Sequence, residues 1–221
     1  MAQAYRVDTD STTLILAEQH GRLALPYFGP RLADSLPGAA LIAASAPVIP
    51  HGELDRPPLE AAFPTADGRP RAMPALRLRR DAQELLVDLR VAAVHRRDDG
   101  LSVDLEDSLA GIGVTLAISA MTGGLLNIAS AVHNHGDWDI GVDWLASAHL
   151  PLEANLTRVR TYDGFWANEF QARDAALGDA LMCWGSDRGR SSHGSAAALV
   201  AIGERTGEGD GPALLMALLW P

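Results

Sequence analysis

Residues 110–132 read AGIGVTLAISAMTGGLLNIASAV and carry no charged side chain. The segment is long enough for a membrane-spanning helix, which needs about 20 apolar residues. In residues 112–119, however, apolar residues alternate with small or polar ones, and a period of two is that of a β-strand. Gly123 and Gly124 then provide a hairpin-turn signal. We therefore predict two buried strands joined by a hairpin, in a soluble chain without a membrane partner.

Similar β-type runs recur along the chain, separated by turns rich in glycine, aspartate and asparagine. Short strands at such spacing indicate an all-β sandwich or barrel. No repeat and no linker divides the sequence, so we predict one antiparallel β domain over residues 1–221. Its other predicted strands are residues 12–16, 23–25, 76–79, 85–95, 101–107, 138–145, 156–161, 180–184, 196–202 and 213–219.

The region 30–75 interrupts this pattern because it holds nine of the thirteen prolines. Proline removes a backbone donor and fixes φ, so closely spaced prolines do not support a regular helix or a central strand. We therefore predict a long proline-rich loop region within the domain. A loop of this length is usually functional or packed on a neighbouring element.

The bulk composition excludes some classes of function. A formal charge of −10 argues against nucleic acid as a partner. The single cysteine, Cys183, excludes an internal disulfide and suits a reducing compartment. It stands in an apolar run, so we predict that it is an inert core residue. The first residues show no secretory signal pattern, and we expect a cytoplasmic protein.

Residues 162–193 interleave aromatic, acidic and arginine side chains, a mixture typical of recognition surfaces. Trp166 and Glu169 could form a sugar-binding pair, in which an indole face meets the pyranose and a carboxylate accepts hydroxyl hydrogen bonds. The alternative is a buried Glu–Arg pair with tryptophan packing that fixes a long loop. The downstream residues that could bind an anion or the carboxylates of a partner domain are Arg188, Arg190, Ser191, Ser192 and His193.

Two other polar motifs give weaker indications of a functional site. His133 and His135 lie at i and i+2, but no third ligand stands at a metal-site spacing. We therefore interpret them as polar residues at a hairpin end and predict neither a metal nor a cofactor. The alternating glycines of residues 207–211 lack the Lys-Ser/Thr of a phosphate-binding loop, and we predict a flexible hairpin turn there.

Several motifs resemble one known family. Residues 164–169, Gly-Phe-Trp-Ala-Asn-Glu, are similar to its Gly-x-Trp-Ala-Arg-Glu motif, and residues 188–193, Arg-Gly-Arg-Ser-Ser-His, to its Arg-Gly-x-Ser-Ser-His motif. On these motifs the chain resembles the N-terminal β-supersandwich domain of family-36-type α-galactosidases. The resemblance implies a large antiparallel β-sandwich of the galactose-mutarotase type that lacks its last strands. Further segments agree in the same order, at residues 25–29, 59–64, 105–116 and 132–145.

The sequence also departs from the family pattern. Asn168 stands where an arginine is common, residues 194–198 differ, and residues 68–75 lack the aspartate of the family's Gly-Asp-Phe-Arg element. Nothing resembles the family's (β/α)₈ barrel, which carries the two aspartates of its retaining mechanism. We therefore expect a shortened protein or a truncated gene product that has no catalytic residue and does not hydrolyse glycosides.

The resemblance implies a non-catalytic domain that docks on a catalytic barrel, supports its pocket for a galactoside-type sugar and contributes to a homo-oligomer. One alternative is a stand-alone carbohydrate-binding or scaffold module that uses Trp166, Glu169 and Arg190. A third hypothesis is a sugar mutarotase that uses His133, His135 and Glu169 as acid and base. For the first hypothesis the predicted docking or substrate residues are Trp166, Glu169, Arg188, Arg190, Ser192 and His193.

Overall fold

Antiparallel strands make up most of the structure, a computed structural model that describes residues 3–47, 59–66, 73–178, 181–185 and 198–219. The chain divides into two compact units, Met1–Pro151 and Leu152–Pro221. The described part of the first unit contains β1 (Gln3–Asp8), β2 (Thr12–Gln19), β3 (Arg22–Pro30), α1 (Gly38–Ala44), β4 (Leu76–Arg80), β5 (Gln83–Leu85), β6 (Arg90–Arg97), β7 (Gly100–Asp107), β8 (Ile112–Met121), β9 (Leu125–Asn134) and β10 (Gly141–Leu145). The described part of the second unit contains β11 (Leu156–Phe165), β12 (Asn168–Ala176), β13 (Ala198–Gly203) and β14 (Ala213–Ala217).

The uncharged segment 110–132 forms the predicted hairpin. β8 and β9 pair in register from Ile112↔Asn134 to Met121↔Leu125. Gly123 and Gly124 both have positive φ, a conformation that glycine adopts without steric cost and that a tight turn requires. No helix among the described residues is long and apolar enough to cross a membrane.

Apolar residues at alternating positions of the strands also form the core of the first unit. Inward-facing residues of β7 and β8 stand opposite each other in register, as in Val103↔Leu116 and Leu105↔Val114, and these four side chains are buried. Directly paired apolar side chains on one face stabilise a sheet, and each buried Val or Leu contributes about 1.5–3 kcal/mol. Leu14 and Leu16 of β2 join the same cluster.

The described strands of the first unit form three sheets, with the orders β1-β2-β3, β10-β4-β5 and β6-β7-β8-β9. Every pairing is antiparallel. The buried side chains of all three sheets meet in one apolar cluster, which is how packed sheets form a sandwich core. The all-β, antiparallel sandwich prediction is confirmed.

A partly buried polar cluster links the chain after β3 to the first two strands. Thr13, fully buried, donates its hydroxyl to Asp8 and accepts the N–H of Leu32 at 3.0 Å. Arg6 donates its Nε to the Asp8 carboxylate at 2.7 Å and Nη2 to the Leu32 carbonyl at 2.6 Å. Burial alone would raise the pKa of Asp8, but the hydrogen bonds from Arg6 and Thr13 outweigh it and hold that pKa below its ordinary value.

The proline-rich region contains a short helix, so the prediction that it has no regular helix is wrong for α1. Pro37 occupies the N-cap position with extended backbone angles. Proline is compatible with a helix start, where its missing N–H would have no intrahelical acceptor. Gly38 lies so close to β1 that an added Cβ would stand 2.6 Å from the Cβ of Ala4. A glycine at this point therefore lets the helix approach the sheet.

Several strand predictions also need correction. The run 85–95 is interrupted, because β5 ends at Leu85 and β6 begins at Arg90. The strand expected from residue 138 begins at Gly141, and residues 181–184 are not in a strand. The sequence pattern missed β1 and β12 entirely. β12 has no alternation to detect, because nearly all of its residues are exposed.

The described strands of the second unit form a four-stranded sheet with the order β12-β11-β13-β14. Leu156, Val159, Ala201 and Ile202 are its buried hydrophobic residues among those described. β11 and β13 are the inner strands and β12 and β14 the edges. This sheet carries the Trp-Ala-Asn-Glu motif at the turn between β11 and β12.

Candidate functional site

A tight hairpin presents the motif. β11 and β12 pair antiparallel up to Phe165↔Asn168, so only Trp166 and Ala167 form the loop. Ala167, the second loop residue, has φ of 65°, and the second central residue of a type II turn likewise has a positive φ. The loop therefore projects both residues from the end of the sheet.

A β-bulge lies directly below the loop. The register shifts between Asp163 and Phe165, so that two residues of β12, Glu169 and Phe170, stand opposite Gly164. Gly164 has φ of +140°, and an added Cβ would collide with the backbone of Asn168 and lie 2.9 Å from the Cα of Glu169. Only glycine tolerates this conformation and this close approach. The Gly of the motif is thus explained by the bulge that shapes the tip.

Two aromatic side chains stand out at this tip. Trp166 is 84% exposed and Phe170 is 79% exposed. The ring of Tyr162 on β11 lies 6.4 Å from that of Phe170 at an interplanar angle of 58°, a geometry that aromatic pairs favour. Exposed Trp and Phe side chains on one hairpin are typical of binding surfaces.

The Glu169 carboxylate lies at the same tip. Its Oε1 accepts the backbone N–H of Ala167 at 3.1 Å, which fixes the side chain against the loop. Oε2 makes no hydrogen bond described in the structure. A carboxylate has about four lone-pair sites, so Glu169 can accept further hydrogen bonds from a ligand or partner beside the Trp166 indole.

An ion-pair network holds the two strands of the hairpin together. Arg160 of β11 makes a bidentate pair with Asp174 of β12, at 2.7 Å and 3.0 Å. Arg158 donates to the same carboxylate at 3.1 Å and to the carbonyls of Gly203 and Glu204 at the end of β13. The hydrogen bond from Arg160 lowers the pKa of Asp174. The Asp174 carboxylate thereby links β12 to β11, and Arg158 links β11 to the end of β13.

The structure brings together two of the six predicted site residues, Trp166 and Glu169. Both are exposed, so the alternative in which they are buried in a Glu–Arg pair with tryptophan packing is wrong for them. The other four lie outside the described residues: Arg188, Arg190, Ser192 and His193. Sequence reasoning missed Phe170, Arg160 and Asp174. The only signal for them was the alternation of Arg158, Arg160 and Tyr162 along β11.

The two histidines of the metal hypothesis lie in the first unit. Their rings stack, with centroids 6.0 Å apart, and no group of three potential metal ligands occurs among the described residues. Thr115 donates its hydroxyl to Asp104 at 2.8 Å and lies 3.1 Å from His133 Nε2. Since a hydroxyl has one hydrogen, Thr115 must accept from His133, which therefore carries its proton on Nε2.

The same network continues to a third histidine across the sheet. Asp104 lies 3.0 Å from His95 Nε2, and its pKa is lowered by the hydrogen bond from Thr115 and by His95. His95, Asp104, Thr115 and His133 therefore form a chain of hydrogen bonds over β6, β7, β8 and β9. The Asp104 carboxylate and the Thr115 hydroxyl thus form hydrogen bonds that link neighbouring strands.

Two further predictions have different outcomes. Cys183 is exposed, so the prediction of an inert core residue is wrong. Its apolar neighbours suggested a buried strand, but residues 181–185 form none. The glycine-rich segment 207–211 lies between β13 and β14, as a hairpin connection should. Gly211 has φ of +104° and packs closely on Thr206.

An open cleft of about 310 Å³ lies in the first unit. Its polar groups include Glu60 and His149, which are 3.4 Å apart. The described residues that line the cleft include no predicted site residue and no Trp, Tyr or Phe that could stack on a sugar. Its lining residues are Leu25, Pro26, Ser45, Leu59, Glu60, His149, Leu150 and Pro151.

The fold and the hairpin define an antiparallel β-sandwich protein with exposed aromatic side chains on one hairpin. Comparison with known proteins identifies the family to which the chain belongs. The model of the glycosyl hydrolase family 36 N-terminal domain matches residues 21–221, and the chain belongs to this family. The resemblance inferred from the motifs is thereby confirmed.

Relatives of known structure share the fold at low sequence identity. The GH36 α-galactosidase AgaA A355E from Geobacillus stearothermophilus, solved with 1-deoxygalactonojirimycin, superposes with a TM-score of 0.78 at 17% identity and over 95% of this chain. The α-galactosidase from Lactobacillus brevis gives 0.72 at 17% identity and over 92%. The chain covers 33% and 31% of these two proteins. It thus spans about a third of their length.

One curated relative shares recognisable sequence. The α-galactosidase of Escherichia coli is 28% identical over 109 residues, which is 48% of this chain and 15% of that protein.

Proposed function

We propose that this chain acts as the non-catalytic N-terminal domain of an α-galactosidase-type glycoside hydrolase in carbohydrate metabolism. In this role it docks on a catalytic barrel, supports the pocket for a galactoside-type sugar and contributes to a homo-oligomer. Membership of the family 36 N-terminal domain supports this. The solved relatives that share the fold are α-galactosidases about three times as long.

The exposed hairpin tip is the observation that carries the docking proposal. Trp166 and Phe170 bring two large rings into solvent next to the Glu169 carboxylate. Trp residues at the centre of an interface often contribute most of its binding energy. The bulge at Gly164 and the Arg160–Asp174 pair hold the tip in one conformation, which lowers the entropy lost on binding.

Binding to a relative's catalytic part tests docking. The chain is titrated calorimetrically into AgaA of G. stearothermophilus from which the third covered by this chain has been removed. We expect saturable binding that Trp166→Ala weakens at least about 30-fold, the equivalent of about 2 kcal/mol at an interface hot spot. The matched control is Leu109→Ala, which truncates another highly exposed side chain in a turn. Equal affinities of the two variants would contradict docking through the tip.

The chain itself should not turn over an aryl α-galactoside. In the family the two catalytic aspartates belong to the barrel, and none of the described residues of this chain is assigned their role. The assay uses the chain alone at high concentration, with the L. brevis α-galactosidase as positive control. Measurable turnover that copurifies with the chain would contradict the non-catalytic role.

A stand-alone carbohydrate-binding module is a second candidate function. It is favoured by the exposed Trp166 indole and by Glu169, whose Oε2 has no hydrogen-bond partner among the described residues, because sugars stack on aromatic faces and donate hydroxyl hydrogens to carboxylates. Calorimetry with galactose and raffinose separates the two functions. Saturable binding that Trp166→Ala abolishes, without binding to the catalytic part, would favour this module.

We also propose a cytoplasmic location, which the exposed thiol of Cys183 supports, since free exposed cysteines persist in reducing compartments.

A further inference from the structure

The cleft in the first unit is built on well-anchored parts of the chain. Leu25 of β3 and Leu59 form part of its lining and are themselves buried. Glu60 is held beside β3, because the N–H of Leu25 donates to the Glu60 carbonyl at 2.8 Å. Leu25 belongs to the apolar cluster of the core, and Leu150 packs against that cluster. The cleft is therefore largely pre-formed, as small-molecule sites usually are.

The size and lining of the cleft suit a small aliphatic molecule. Its volume of about 310 Å³ lies at the lower end of the range for small-molecule sites, about 300–1,000 Å³. Such sites are mostly apolar, with a few polar groups that fix the ligand. No aromatic side chain is among the described lining residues, so the walls favour a carbon chain over a ring that binds by stacking. The apolar lining residues are Leu25, Pro26, Leu59, Leu150 and Pro151.

The Glu60 carboxylate gives this apolar cleft a charged group. Its Oε1 lies 3.4 Å from His149 Nε2, and its Oε2 has no hydrogen-bond partner among the described residues. The Glu60 side chain is 44% exposed, so water solvates the carboxylate when the cleft is empty. A ligand that fills the cleft removes part of this water, and a carboxylate that loses water needs a hydrogen-bond donor in return. The ligand must therefore bring a donor to Oε2.

A cationic donor meets this requirement best. The described residues that line the cleft include no arginine, the sequence contains no lysine, and its formal charge is −10, which attracts cations. A hydrogen bond from an ammonium group to a carboxylate is about twice as strong as one between neutral groups. We propose that the cleft binds a small aliphatic ammonium ion, with its carbon chain against the leucine and proline walls and its nitrogen on Glu60 Oε2.

Titration of the full chain with hexylammonium, followed by methyl NMR, tests the proposal. We expect the methyl signals of Leu59 and Leu150 to shift saturably, and those of Leu109, in a distant turn, to stay unchanged. The dissociation constant should be on the order of 1 mM, because so small a ligand makes few contacts. Glu60→Gln should raise it at least about tenfold, since the charge-assisted hydrogen bond is lost.

Three other probes separate the contributions of charge, chain and source. 1-Hexanol lacks the charge and should bind at least about tenfold more weakly than hexylammonium. Methylammonium lacks the carbon chain and should give no saturable shift, because the apolar walls then gain no contact. Nα-acetyl-lysine amide carries the same cation on a peptide backbone and should bind more weakly. Equal or tighter binding of this probe would overturn a free amine as the occupant, in favour of a lysine side chain.

The matched control is Glu84→Gln, which should leave the dissociation constant unchanged. The Glu84 side chain is 49% exposed and its Oε1 lies 3.4 Å from Arg77 Nε, so its environment resembles that of Glu60 without the cleft. Equal affinities of Glu60→Gln and Glu84→Gln for hexylammonium would overturn the proposal. It would also be overturned by 1-hexanol binding as tightly as hexylammonium, or by the absence of a saturable shift at Leu59 and Leu150.

Discussion

Replacement of Gly164 by alanine should destabilise the second unit strongly. The substitution places an L side chain at φ of +140°, and such sparsely populated backbone regions cost about 1–3 kcal/mol. The added Cβ also collides with the backbone of Asn168, and forcing an extra methyl group into a packed site costs about 1–3 kcal/mol. The two effects together give about 3 kcal/mol, or about 6–12 °C in Tm for a chain of this length.

Two glycines provide graded controls for this prediction. Gly123 has φ of +80° with nothing within 4 Å of an added Cβ, so Gly123→Ala should cost only the about 1–2 kcal/mol of the left-handed backbone. Gly207 also has open space and no positive φ, so Gly207→Ala should stay within about 0.5 kcal/mol of the wild type. Urea unfolding followed by far-ultraviolet circular dichroism measures all three. Equal midpoints for Gly164→Ala and Gly207→Ala would refute the role of the bulge.

Three further predictions concern the first unit. Thr13→Val should destabilise the protein by about 1–3 kcal/mol, because the N–H of Leu32 loses its acceptor; the adjacent Thr12→Val should change thermal stability little, and equal effects would contradict the prediction. The Asp8 pKa is lowered from 3.8, so its contribution to stability is present above that pH and is lost as the pH falls through the lower folded value. The stability gap between wild type and Asp8→Asn should therefore shrink below about pH 4, and a constant gap in acid-unfolding measurements would contradict this. Nitrogen-15 NMR of His133 should find a proton on Nε2, and an Nε2 without a proton would contradict the inferred hydrogen bond from His133 to Thr115.

Alternation predicted β7 and β8, but it is not a general rule, because β1 was missed although its burial alternates and β2 was predicted although its burial does not. β7 and β8 alternate because one face packs in the core, and β9 follows from the paired glycines before it. β12 could not be found in this way, because it is an exposed edge strand stabilised by ion pairs such as Arg160–Asp174. Cross-strand ion pairs can be predicted from the positions of charged residues only when the register of the strands is known.

The predictions for α1 and for Cys183 failed for a related reason. Proline density excludes helix only where proline falls inside it, and Pro37 stands at the N-cap of α1. The apolar residues around Cys183 predicted burial, although exposed apolar residues are common on protein surfaces. In both cases the tertiary environment, and not the local composition, determines the structure of the segment.

The candidate site was predicted in part. The spacing of Trp166 and Glu169 drew attention to a single motif, and both lie at one hairpin tip. Their exposure depends on the two-residue loop and the bulge, which need a register that the sequence does not encode directly. Phe170 lies in the bulge with a left-handed backbone, φ of 56°, and no propensity predicts that conformation for phenylalanine.

The central claim is that the β11–β12 tip is the docking surface for a catalytic domain. Amide hydrogen exchange of this chain, with and without the catalytic part of AgaA from G. stearothermophilus, tests it most directly. We predict that binding slows exchange in residues 162–172, including the loop amides of Trp166 and Ala167, and that Trp166→Ala removes this protection. Slowed exchange elsewhere in the chain, with the tip unchanged, would contradict the claim.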